Sequence, residues 1–298
     1  MDFATIDERD AFLLGNQGPD PLFFAAIHPA LHSFRSLGSR MHKEHTTDLV
    51  RALHRSLGVL DAEELPIGRA YAQGFLGHFA LDSTLHPLVY ATQYAICDAG
   101  IDGLSRADCH EVHAEIEREF DEMVLTAKRR QTVRDYPAVD NTLEASPETL
   151  AIIQKVHAYL ALSVYGIQVP PSLFPTAVEC YRIVLATLHS PFGIKRSLAA
   201  AAERTVRPHS FIGAMAHRAV LVEDSWFANS EHTPWTNPYT GEVHTASFWD
   251  LYQTALDAWA ESIDLFGKST LTEDDARTIT RDVNFSGEPT VATLVVEG

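Results

Sequence analysis

Between Ala70 and Leu85 apolar residues fall on nearly every helical face, the pattern of a central helix enclosed by protein rather than one lying on a surface. Helical spacing recurs around it. Met41, His45, Leu49, Leu53 and Leu57 predict a helix over 41–57 that Gly58 ends. Three more helices are predicted over about 65–90, 105–130 and 147–165. Ser105 with Asp108 has the pattern of an N-terminal cap, and Ser146 before Pro147 that of a cap followed by proline at the first helical position. Beyond the break at Val169-Pro170-Pro171, helical spacing resumes over 174–188 and around 194–203, and a last long helix is predicted over about 247–266. The stretch 229–245 is rich in turn formers and reads as a long ordered loop, while the β-branched tail 290–296 suggests a short strand or extended arm. With no internal repeat and no low-complexity linker, the expectation is one all-α domain over 1–298.

Composition narrows the setting. A chain of 298 residues with 46% hydrophobic content can bury a sizeable core. No stretch approaches the roughly eighteen apolar residues of a membrane span, so stable membrane insertion is not expected. The opening residues 1–14 lack the basic and apolar regions of a secretory signal, which makes the expected location cytoplasmic. Forty acidic against twenty-three basic residues give a formal charge of −17, which repels phosphate backbones and makes nucleic acid an unlikely partner. Arg35, Arg40 and Lys43 lie near His42 in sequence and could form a local basic pocket that offsets this charge. Cys97, Cys109 and Cys180 are odd in number and distant in sequence, and read as buried thiols without a disulfide framework.

Fifteen histidines are about twice the usual share, so their placement matters. On the central helix, His78, Asp82 and His86 are spaced i, i+4, i+8, and at about 100° per residue they span an arc of about 80°. A carboxylate on an enclosed helix needs a partner, because burying it alone costs several kcal/mol. Two imidazoles and a divalent cation would supply one; a metal-free Asp–His pair is the alternative. Gly74 and Gly77 would let another helix approach there, and Pro87 is expected to kink or end the helix and re-aim His86. On the next helix His113 and Glu117 lie i, i+4 beside an apolar stripe of Val112, Ile116, Phe120 and Met123, with Glu111, Glu115, Glu119 and Asp121 expected in solvent. Asp20 after a Gly-Pro turn and His42 at the expected start of a helix complete the candidates, a turn residue and a surface histidine being their plainer readings.

Taken together, the Gly18-Pro19-Asp20 segment, Met41-His42, the run from Gly74 to Pro87 and the pair His113 and Glu117 resemble the zinc-dependent phospholipase C family, which is related to the fungal single-strand nucleases. The resemblance covers about the first 130 residues, with a similar distal loop around Trp235-Thr236-Asn237-Pro238. It implies a multi-helix bundle with a metal-binding core over about 10–130 and zinc held between helices. It also implies that His78 and Asp82 bind one zinc with His42 and Asp20, and that His86, His113 and Glu117 bind another. In that family the carboxylate matching Asp82 bridges to a third zinc held by an N-terminal tryptophan amine and a nearby histidine. Here the chain opens Met1-Asp2-Phe3 and its first histidine is His28, so two or three zinc ions are the expectation, with His28 or His32 as the only nearby substitutes.

The activity implied is zinc-dependent hydrolysis of a phosphoester, on a phospholipid or a small soluble molecule. Asp20, Asp82 and Glu117 are the candidate catalytic carboxylates, with Asp20 or Glu117 orienting water, and the loop carrying Trp235, Tyr239 and His244 is a candidate rim of the substrate pocket. The alternative is a zinc-stabilised binding or scaffold protein of the same fold without catalysis.

Overall fold

A computed structural model describes residues 2–100, 102, 104–188 and 218–290. The all-α expectation is borne out. In chain order the helices are α1 (Ile6–Gly15), α2 (Leu37–Lys43), α3 (Thr46–Ser56), α4 (Leu65–Cys97), α5 (Cys109–Arg129), α6 (Ala138–Asn141), α7 (Pro147–Tyr165), α8 (Leu173–Leu188), α9 (Phe248–Phe266) and α10 (Glu273–Thr280). Two 3-10 stretches, Asp20–Ile27 and Pro29–Phe34, precede α2. The only sheet among the described residues is a hairpin of β1 (Trp235–Thr236) and β2 (Val243–His244). The expected helix over 194–203 and the arm beyond 290 lie outside the described residues.

The chain divides into two compact units. The first takes the segments up to Thr84, from Thr142 to Arg182 and from Tyr252 onward. Its core is aromatic: Tyr71, Phe75 and Phe79 of α4 are fully enclosed with Phe174 and Phe285. Gly74 allows α1 to lie directly on α4, for a Cβ there would stand 2.2 Å from the Phe12 carbonyl oxygen. The glycines thus do what their positions suggested. The Trp259 indole of α9 closes the same face by donating to the Gln73 carbonyl at 2.8 Å.

The second unit takes Leu85 to Asn141 and Ile183 to Leu251. There Ile116, Phe120 and Met123 of α5 are buried as the stripe predicted, with Phe120 against Phe248 at 4.5 Å. Ser105 caps the turn before α5 through the expected pairing with Asp108. Glu119, expected in solvent, instead accepts from Arg218 and from the Ser225 hydroxyl, both at 2.9 Å. Beside it the buried Glu122 is neutralised by Arg218 at 2.7 Å, which a buried carboxylate requires.

Three further sequence expectations are corrected. The helix over 41–57 is two helices, because His45 adopts φ 59° between α2 and α3. Met41, Leu49 and Leu53 are buried on both sides of the break, so the apolar spacing carries no trace of it. His42 therefore closes α2 rather than opening a helix. Second, α4 continues through Pro87 to Cys97. Proline costs about 3 kcal/mol in a helix interior, and the buried Leu85, Leu88 and Val89 around it recover roughly 1.5–3 kcal/mol each. Third, the loop over 229–245 is ordered as expected but contains the hairpin, held by the Asn229 amide donating to the carbonyls of Thr233, Thr245 and Ala246.

Candidate metal centres

The first unit brings Asp20, His42 and His78 together, their ligand atoms all within 4.8 Å of one another. Asp20 opens its 3-10 stretch from the turn made by Gly18 and Pro19. Gly18 has φ +50° and lies against the His78 ring, where a Cβ would come within 2.1 Å of Cδ2. Only glycine fits this approach, and it sets Asp20 beside both imidazoles. Asp20 Oδ1 stands 3.0 Å from His42 Nε2 and 3.9 Å from His78 Nε2. Asp82, one turn after His78, lies outside this close group but places Oδ2 3.2 Å from His78 Nε2.

The His42 ring is oriented from its back side. The Gly38 carbonyl accepts from His42 Nδ1 at 2.8 Å, so Nε2 presents a lone pair toward the Asp20 carboxylate. Two lone pairs at 3.0 Å repel unless a proton or a cation lies between them. The protonation of His42 responds accordingly: burial opposes the charged form, but the hydrogen bond and charge of Asp20 and the charge of Asp82 outweigh it and raise the pKa. His78 Nε2 is buried and makes no hydrogen bond. It faces Asp82 Oδ2 at 3.2 Å as an ion pair without hydrogen-bond geometry, where a buried polar atom normally makes a hydrogen bond. Phe285 walls the group, its amide donating to the His42 carbonyl at 3.1 Å and its ring 4.9 Å from His42 and 5.7 Å from His78.

The second unit brings His86, His113 and Glu117 together on α4 and α5. Glu117 Oε1 lies 3.1 Å from Nε2 of both histidines. The buried Gln93 carbonyl accepts from His113 Nδ1 at 2.7 Å, again turning Nε2 toward the carboxylate. Surrounding protein opposes the Glu117 charge, yet the charges and hydrogen bonds of His113 and His86 hold its pKa well below the carboxylate range. Nitrogen–oxygen separations of 3.0 to 3.9 Å in the two groups bracket the ~3.4 Å edge of a tetrahedron with ligands about 2.1 Å from a cation. Either group can hold a metal ion.

Other candidates fall away from these groups. His28 and His32 are exposed and join neither. Arg40 pairs with Glu44 at 2.8 Å and stacks over Tyr165, and Arg35 donates to the His32 carbonyl. In the loop, Trp235 and His244 pack on each other across the hairpin at 5.0 Å. Tyr239 alone of the three approaches a ligand group, 5.8 Å from Tyr90, which lies 5.0 Å from His113 and 5.7 Å from His86. Tyr90 and Gln93 are further residues of the site; both follow His86 on α4 at helical spacing, a signal present in the sequence. Phe285 had no local signal. Comparison with family models, with curated proteins and with solved structures finds no match to this chain.

Proposed function

We propose that the chain is a zinc-dependent hydrolase of phosphoesters, of the phospholipase C type that its motifs resemble. The observation that supports this reading is the same arrangement twice over, imidazole Nε2 atoms turned onto one carboxylate oxygen, with one histidine in each group fixed from behind through Nδ1. Neutral histidine and ionised carboxylate are the donor set of zinc. When bound, the cation supplies positive charge against phosphoryl oxygens and lowers the pKa of water to about 7.

The protein's own part is orientation and charge. Gly38 and Gln93 hold the ring tautomers, and Asp82 adds a negative charge beside His78 that balances the cation. The Asp20 and Glu117 side chains are 35% and 47% exposed, so these carboxylates stand at the open side of each group, where they can orient water toward a substrate. Among the described residues each group offers three close ligands, and a zinc held by three protein ligands keeps the open position that catalysis uses. Tyr90 and Tyr239 supply an apolar rim on the second group. Substrates are phosphoesters of small molecules or lipids; among the described residues no helix is long and apolar enough to cross a membrane.

The test is elemental analysis of protein purified without chelator, beside hydrolysis of a chromogenic phosphodiester and a phosphomonoester with and without chelator. Zinc at one or more per chain and chelator-sensitive hydrolysis are expected. A metal-loaded protein inert toward every phosphoester overturns the enzyme reading.

A further inference from the structure

The cysteines stand far apart in the sequence pattern, yet Cys97 at the last position of α4 and Cys109 at the first of α5 meet with their sulfurs 3.1 Å apart. Cys97 is buried, Cys109 half-buried, and both are free thiols. Twelve positions separate them. The connection is held closed independently of the sulfurs: Arg106 forks onto Asp98 with contacts of 2.7 and 2.5 Å and lies over the Tyr94 ring at 4.2 Å. The reciprocal pairing of Ser105 and Asp108 fixes the backbone that leads into Cys109.

We propose that Cys97 and Cys109 are a reversible disulfide site, oxidised by a small-molecule disulfide such as oxidised glutathione, and that the bond staples α4 to α5. The chemistry balances in two exchanges. The Cys109 thiolate, the more accessible sulfur, attacks one sulfur of the small disulfide and expels one thiolate, leaving a mixed disulfide on Cys109. Cys97 then loses its proton to solvent and attacks the Cys109 sulfur, expelling the second small thiolate. In sum two protein thiols are oxidised and one small disulfide is reduced to two thiols. Burial, together with the adjoining Cys109 sulfur, pushes the Cys97 thiol up to about 12, which makes Cys97 the resolving rather than the attacking group.

Closing the bond needs about 1 Å of approach, and thiols already in contact pay little ordering entropy for it. The helices joined carry His86 on one side and His113 and Glu117 on the other, so the bond fixes the spacing of the second ligand group. The site itself rests on the sulfur contact and stands whether or not that group binds metal.

The experiment equilibrates the full chain, as wild type and as Cys180→Ser, in buffers of graded glutathione ratio, followed by acid quench, alkylation and mass analysis. Cys180 is a buried free thiol on α8, so Cys180→Ser removes the third thiol and leaves both members of the pair in place. The expected result is concerted loss of two alkylatable thiols, a peptide joining Cys97 to Cys109, reversal by dithiothreitol, and a melting temperature higher by on the order of 5 °C. Cys97→Ser should stall at a glutathione adduct on Cys109, and Cys109→Ser should leave Cys97 unmodified. Persistent single adducts on the Cys180→Ser chain, unmodified thiols in the most oxidising buffer, or a bond to Cys180 in the wild type would each overturn the proposal, even if the two single-serine variants fail to fold.

Discussion

The two ligand groups use the same atoms but are made differently. Asp20, His42 and His78 come from a 3-10 turn, the end of a short helix and the middle of a long one, and His78 is only 8% exposed, wedged between Gly18 and Phe285. His86, His113 and Glu117 come from two consecutive long helices, with Glu117 reaching into solvent. The buried His78 Nε2 faces the Asp82 and Asp20 carboxylates without a hydrogen bond, a cost in folding energy that a cation between them would recover, whereas a half-exposed carboxylate between two histidines can be satisfied by water. The first group should therefore couple metal to folding, and the second should couple metal to chemistry alone.

The largest effect expected is that of His78→Ala. It removes the enclosed ligand, so the variant should lose the metal of the first group and at least ~10²-fold in phosphoester turnover, with a lower melting temperature. Asp82→Asn keeps the shape and removes one charge, and should lie between this variant and wild type in metal affinity. Metal content, turnover and melting read on the same preparations decide it. If His78→Ala keeps its metal and its melting temperature, the first group has no claim on either.

His113→Ala is the matching cut in the second group. One metal and ~10–100-fold in turnover should be lost, while the melting temperature moves by no more than a degree or two. If it unfolds as readily as His78→Ala, the contrast between the groups fails. If it loses one metal and keeps its full rate, the second group is structural and the scaffold reading gains.

The same contrast governs what could be read before the fold was known. His113 and Glu117 share a helix face, so spacing alone joins them, and likewise His78 and Asp82. Asp20 and His42 carry no such signal; only the resemblance of their motifs placed them with His78. Local patterns also cannot register single backbone events. His45 breaks a helix whose apolar spacing is uninterrupted, and Pro87 leaves unbroken a helix that propensity would end, because burial on either side decides the matter. Phe285 and the meeting of Cys97 with Cys109 depend on tertiary placement that no window of sequence contains.

Gly18→Ala tests the first group through its backbone. Alanine would hold a left-handed φ and drive its methyl into the His78 ring, so the cost should be about 2 kcal/mol or more, with weakened metal binding at the first group and none lost at the second. The readouts are the urea midpoint at constant m-value and the metal count. A neutral substitution would mean that the turn before Asp20 relaxes freely and does not set the carboxylate.

The smallest expected effect concerns a histidine that belongs to neither group and shows what a site without carboxylates does to an imidazole. His157 is enclosed against Phe174 at 4.2 Å, with Nε2 2.6 Å from the Tyr71 hydroxyl and no acid beside it. Burial lowers its pKa to about 3, opposite in direction to His42, where Asp20 and Asp82 favour the charged form. The unfolded chain then binds a proton near pH 6.5 that the folded chain does not bind until about pH 3. Stability from this residue is complete above 6.5 and lost as pH falls toward 3, at about 1.4 kcal/mol per pH unit once below 6.5. At pH 5.5 the loss should be about 1.4 kcal/mol relative to pH 8. His157→Gln keeps a hydrogen-bonding group for Tyr71 and cannot titrate, so its urea midpoint should fall less than that of wild type between pH 8 and 5.5, with metal removed from both so that ligand protonation does not differ. Parallel pH profiles would show that His157 is solvated or already charged in the fold, and that burial alone does not separate it from the histidines of the two groups.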